Sequence, residues 1–132
     1  MPRYHKNPYA EYRIEAGILF LYYKPQSCLS LQIAKKVVQD RLRFQMNTSY
    51  PVYCDVRELI DSTKEARDYL IREGSASTLA IAFHVNRGLT ESMVRFYLKR
   101  RETHIETRLF YEMEPALEFL KTYRNPKHPR KN

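Results

Sequence analysis

The sequence has no tryptophan, three glycines and two cysteines in 132 residues. Each shortage removes a class of function. Gly17, Gly74 and Gly88 are scattered, so neither G-x-G-x-x-G nor G-x-x-x-x-G-K-[ST] occurs. A Rossmann or P-loop nucleotide site is therefore not expected. Cys28 and Cys54 form no disulfide framework, and their spacing matches no compact metal motif. Reduced thiols are expected, with no metal and no cofactor. No apolar run approaches the roughly 20 residues that cross a bilayer. The longest, residues 16–23, reads as a buried strand. The first residues, M-P-R-Y-H-K-N-P-Y, lack the apolar middle of a secretory signal. Together these shortages predict a cytoplasmic chain without membrane insertion.

Acidic residues are missing from both ends. The net charge is +8, and Arg3 and Lys6 at one end with Lys121, Arg124, Lys127, Arg130 and Lys131 at the other account for seven of those charges. The body is thus close to neutral. Residues 1–11 read as a flexible basic segment, 12–123 as one domain, and 124–132 as a disordered basic tail. Such tails favour weak, salt-sensitive contact with polyanions.

What is present is a regular alternation of strand and helix signals. Residues 12–25 contain β-rich runs on either side of Gly17, as a hairpin or one long bent strand. Ser30 suits the N-cap of a helix from 31 to about 46, with Ala34, Val37, Val38 and Leu42 on its inner face. Pro51 stops it, and a β-branched strand follows at 52–56. Leu59 and Ile60 follow in the connection and are expected to tuck under that strand. A second helix is predicted from about 63 to 73, with a Ser62-x-x-Glu65 capping box and Gly74 as a left-handed terminator. Residues 78–85, T-L-A-I-A-F-H-V, read as a central parallel strand. A third helix is expected over 90–100, then a strand over 105–111 whose alternation suits an edge or half-covered position. Pro115 should occupy the first position of a last helix. The order β(β)αβαβαβα predicts an α/β fold. Its sheet should be mostly parallel, of four to five strands with an antiparallel edge, and covered by helices.

Order and local phrases together resemble the STAS domain of bacterial anti-sigma-factor antagonists. The phrases Y-P-V-x-C-D-V-R, K-E-A-R-D-Y-L and T-R-L-F are similar to a bacterial group of small STAS-like proteins of unassigned function. In the antagonists an Asp-Ser-Ser/Thr-Gly motif at a helix start carries a hydroxyl that a partner kinase phosphorylates. Ile60-Asp61-Ser62-Thr63 lies on that motif, with Lys64 where the glycine is expected. The resemblance implies a non-enzymatic regulatory domain that binds another protein, such as a kinase or an anti-sigma-like factor. Thr63 is then the candidate phosphorylation position and Ser62 its neighbour, with Asp61, Lys64 and Arg67 as partner-binding residues. A phosphate there would meet the free N–H groups of a helix start. The bland alternative is that Ser62 and Thr63 cap the helix.

Two other constellations stand out. Asp55, Arg57, His84 and Asn86 are expected at strand carboxyl ends, where open parallel sheets bind ligands. They mark a candidate cleft for a small molecule or lipid. His84 with Asp55 could serve as an acid–base pair and Cys54 as a nucleophile, but alternation along a strand sends Cys54 and Asp55 to opposite faces. Arg95, Lys99, Arg100 and Arg101 form a basic helix end, a candidate polyanion contact and a route to weak nucleic-acid binding. Finally, the chain has 11 tyrosines. Tyr22, Tyr23 and Tyr53 near expected sheet edges suggest a homodimer.

Overall fold

The computed structural model describes residues 3–26, 28–100 and 104–124. Arg101 and residues 125–132 of the basic tail lie outside them. One sheet holds six strands in chain order: β1 (Arg3–Lys6), β2 (Ala10–Glu15), β3 (Ile18–Tyr23), β4 (Tyr50–Asp55), β5 (Thr78–His84) and β6 (Glu106–Phe110). The first three pair antiparallel, and β3 to β6 pair parallel. Helices α1 (Leu31–Gln45), α2 (Lys64–Glu73) and α3 (Leu89–Arg100) connect the parallel strands, and α4 (Met113–Lys121) ends the fold.

The N-terminal segment expected to be flexible is an edge strand. Asn7 makes the difference. Its side-chain carbonyl accepts the N–H groups of Tyr9 at 2.7 Å and Ala10 at 2.9 Å, closing the turn that folds β1 back onto β2. Its amide donates to Asp40 at 2.8 Å, tying the turn to α1. The alternative left open around Gly17 is resolved as a hairpin. Ala16 and Gly17 have φ of 54° and 80°, the two left-handed residues that a tight two-residue hairpin turn uses.

Strand alternation divides the core. On one face Leu19, Leu21, Val52, Cys54 and Ile81 pack with α1, α2 and α3. On the other Phe20, Tyr53, Ala80 and Ala82 pack with Ala116 and Leu120 of α4. β3 and β4 are the central strands, so Tyr22, Tyr23 and Tyr53 are nowhere near an edge. These tyrosines therefore offer no edge through which two copies would pair.

Other local expectations shift. The inner stripe of α1 runs through Ala34, Val37, Val38, Arg41 and Gln45, while Leu42 is only half-buried. Leu59 is buried, but Ile60 is 57% exposed. Thr63, not Ser62, caps α2, with its hydroxyl accepting the Ala66 N–H at 3.1 Å. The expected capping box is displaced because the connection pairs with residues 26–29 through parallel bridges Gln26↔Leu59 and Leu29↔Ser62. That pairing holds Ser62 in the interior. Gly74 is right-handed, with φ −70°. It is small for another reason: a Cβ there would lie 2.6 Å from the Leu70 carbonyl oxygen. Pro115 is the third residue of α4 rather than the first, which the unpaired N–H groups of a first turn allow.

Candidate functional site

The strand-end cluster assembles as register predicts. Asp55 lies opposite His84 across β4 and β5, both on the α4 face. Their chemistry is already spent. Asp55 is 8% exposed and accepts from Arg57 Nε at 3.0 Å, Arg57 Nη2 at 2.8 Å and the Arg57 backbone N–H at 3.0 Å. Burial alone would raise the Asp55 pKa, but these bonds and the Arg57 charge hold it below the ordinary carboxylate value. His84 Nε2 is 3.2 Å from the Tyr111 carbonyl, so it carries the proton. Nδ1 then accepts from the Tyr53 hydroxyl at 2.5 Å. Burial, helped by the Arg57 charge, pushes the His84 pKa down, so the ring is neutral at pH 7. Asn86 holds the start of α3, with its N–H donating to Thr90 Oγ1 at 2.9 Å.

Cys54 points to the other face, as strand alternation requires, and burial pushes its thiol pKa up. It is therefore separated from His84 by the sheet and is a poor nucleophile. Among the described residues no group of three or more potential ligands is placed to hold a metal.

The α2 start is rigid and mixed in character. Leu29 N–H donates to the Asp61 carbonyl at 2.8 Å, and Thr63 N–H donates to the Leu29 carbonyl at 3.0 Å. Asp61 and Lys64 face solvent, and Lys64 pairs with Asp68 at 2.8 Å. Ser62 is 7% exposed, and its hydroxyl and carbonyl both accept from Arg67 Nη1, at 3.2 and 2.6 Å. Arg67 also lies 5.8 Å from the centre of the Phe96 ring, and Phe96 is 41% exposed. Of these two residues, Ser62 is buried and Thr63 is partly exposed.

The basic end of α3 is thinner than its sequence suggests. Arg95 pairs with Glu91 at 3.0 Å, and the same Glu91 carboxylate accepts the Tyr111 hydroxyl at 2.5 Å. Arg100 stacks on Phe96 at 5.3 Å. Lys99 is exposed. Arg101 is outside the described residues.

A fourth feature is absent from the sequence reading. Between the sheet and α1, α2 and α3 lies an apolar cavity of about 100 Å³. Its walls reach from Ser62 and Arg67 at the start of α2 to Gly74 and Arg41 beyond its end, a span of about 15 Å for a helix of this length. An unfilled apolar void of this size forgoes roughly 2 kcal/mol of packing. Arg41 is 2% exposed and bonds only neutral acceptors: Gln45 Oε1, the Ala76 carbonyl at 3.0 Å and the Gly74 carbonyl at 3.3 Å. No carboxylate among the described residues forms an ion pair with it. The signal was available, because Arg41 falls three, four and seven residues after Val38, Val37 and Ala34, on the apolar stripe itself.

Among the described residues no helix is long and apolar enough to cross a membrane. A comparison with curated proteins found no match. Among solved structures, the chain is similar to an uncharacterized protein of the DUF3478 family from Shewanella loihica PV-4, described as having a SpoIIAA-like fold. The two share 14% identity with a TM-score of 0.57 over 91% of this chain and 92% of that one. The fold is thus the SpoIIAA-like α/β fold that the resemblance to anti-sigma-factor antagonists implied. Residues 12–124 match the family model described as Domain of unknown function (DUF7793), and the chain belongs to that family.

Proposed function

We propose that this chain is a non-enzymatic regulatory domain that binds another protein through the start of α2 and the adjoining side of α3. One observation carries the reading: Ile60 projects into solvent from a segment pinned by two backbone hydrogen bonds to Leu29. A rigid, exposed aliphatic side chain costs little entropy to bury against a partner. Asp61 and Lys64 flank it, and the Arg67–Phe96 pair adds the residue types that dominate interface energetics.

Thr63 is the candidate switch. A phosphate on it would gain from the helix N-terminus and from Lys64 and Arg67, and would be opposed by Asp61 and Glu65. Ser62 is a weaker candidate because it is buried under Arg67. Thr63→Asp is the informative mimic. Aspartate also caps helices, so stability should stay within about 0.5 kcal/mol while a charge is added. Tagged wild-type chain, expressed in its native host, should retain a partner that Ile60→Asp releases and Thr63→Asp weakens at least about tenfold. Equal capture by wild type and Ile60→Asp would defeat the surface, and equal capture by wild type and Thr63→Asp would defeat the switch.

A further inference from the structure

The buried arginine and the apolar cavity beside it have no role in that reading. A guanidinium taken out of water retains its charge, because its pKa lies far above neutrality. A buried cation is ordinarily matched by an anion. Arg41 is given three neutral acceptors instead. Those bonds fix the planar head beside the cavity, while Tyr23, Cys54 and Tyr97 line the same space and lie close enough to interact electrostatically with it. The rest of the wall is apolar, including Val52, Ile81 and Val94.

We propose that the cavity between α1, α2, α3 and the sheet is a binding site for a small apolar monocarboxylate, with its acid group on Arg41 and its hydrocarbon body along α2. The charge calls for one anion. The apolar walls exclude a sugar phosphate or a polyacid, whose remaining polar groups would be buried without partners. The volume sets the size. A dry apolar cavity of about 150 Å³ holds a benzene ring, so one of about 100 Å³ takes a smaller body, on the scale of a four-carbon fatty acid. Entry is from the α2–α3 side, where Arg67 and the half-exposed Phe96 line the outer end. A basic mouth also favours the approach of an anion.

The test is calorimetric titration of the full chain with sodium butyrate and the uncharged 1-butanol. Butyrate is expected to bind at least about tenfold more tightly than butanol, the worth of one charge-assisted hydrogen-bonded contact. Arg41→Met should remove the preference for the acid while leaving butanol binding in place. Val94→Phe keeps Arg41 but fills the cavity, and should lose both ligands with an unchanged far-ultraviolet circular dichroism spectrum. The proposal is overturned if the wild type binds no butyrate up to millimolar concentration. It is also overturned if the wild type binds butanol as tightly as butyrate, or if folded Val94→Phe binds as the wild type does. The wild-type comparison of acid with alcohol decides the matter even if a variant fails to fold.

Discussion

The two faces of the sheet treat a polar group in opposite ways. On the α4 face, Asp55 is paired with Arg57, and separately Tyr53, His84 and the Tyr111 carbonyl form a hydrogen-bonded series, so donors and acceptors find one another. The small side chains of Ala80, Ala82 and Ala116, none of them exposed, let α4 approach closely. On the face of α1, α2 and α3, packing leaves a void, and the buried cation beside it has no counter-ion among the described residues. The first region is dense in residue types that suggest chemistry, and it is saturated. The second is mostly apolar and holds the unmet charge. Density of polar residues is thus a poor guide to a site, and an unmet interaction is a better one.

Adding volume to each face should expose this contrast most strongly. Ala82→Leu forces three further carbons between β5 and α4, where the wall is already in contact. It should cost about 3 kcal/mol, at the upper end of overpacking penalties. Val94→Leu adds one carbon where space exists, and should change stability by less than about 0.5 kcal/mol or raise it. Urea denaturation of the two variants measures both. Similar losses at the two sites would mean that the void relaxes away in solution.

Removing one atom from the saturated region should have the next largest effect. Tyr53→Phe deletes the hydroxyl that donates to His84 Nδ1 and leaves that nitrogen buried without a donor. The expected loss is about 2 kcal/mol. A loss below about 0.5 kcal/mol would mean that solvent replaces the hydroxyl and that the α4 face is less closed than its geometry indicates.

How far apart a feature's determinants lie along the chain decides whether the sequence shows it. The alternation of strands and helices and the pleat that separates Cys54 from Asp55 depend on local period, so they were legible. The cap at Thr63 was misassigned by one residue because it depends on residues 26–29 pairing with the connection from 59 to 62. The strand at Arg3–Lys6 was missed because Asn7 anchors it through Asp40, 33 positions away. Tyr53 was read as an edge residue because strand order is a long-range property. Its partnership with His84 needs β4 and β5 to be neighbours. Arg41 differs, since its place on the apolar stripe of α1 is a local fact. An arginine is easily counted with Lys35, Lys36 and Arg43 on the charged side, and composition hid what periodicity contained.

The smallest expected effect is a test of closure by pH. His84 is neutral in the fold, with its pKa lowered from 6.5 first by burial and then by the Arg57 charge. In the unfolded chain the imidazole titrates near its ordinary value. Between the folded and unfolded values the unfolded state binds more protons, so stability falls as pH drops. The contribution is fully present above about pH 6.5 and is lost as pH falls through the folded value. Nuclear magnetic resonance titration of the His84 ring should give a midpoint below that of a free histidine. Tyr53→Phe should raise it, because a neutral ring that loses its donor has less to lose on protonation. A midpoint at or above 6.5 in the wild type would show the ring to be hydrated. The α4 face would then hold an accessible base, and the contrast between a saturated face and an unmet one would fail at its polar end.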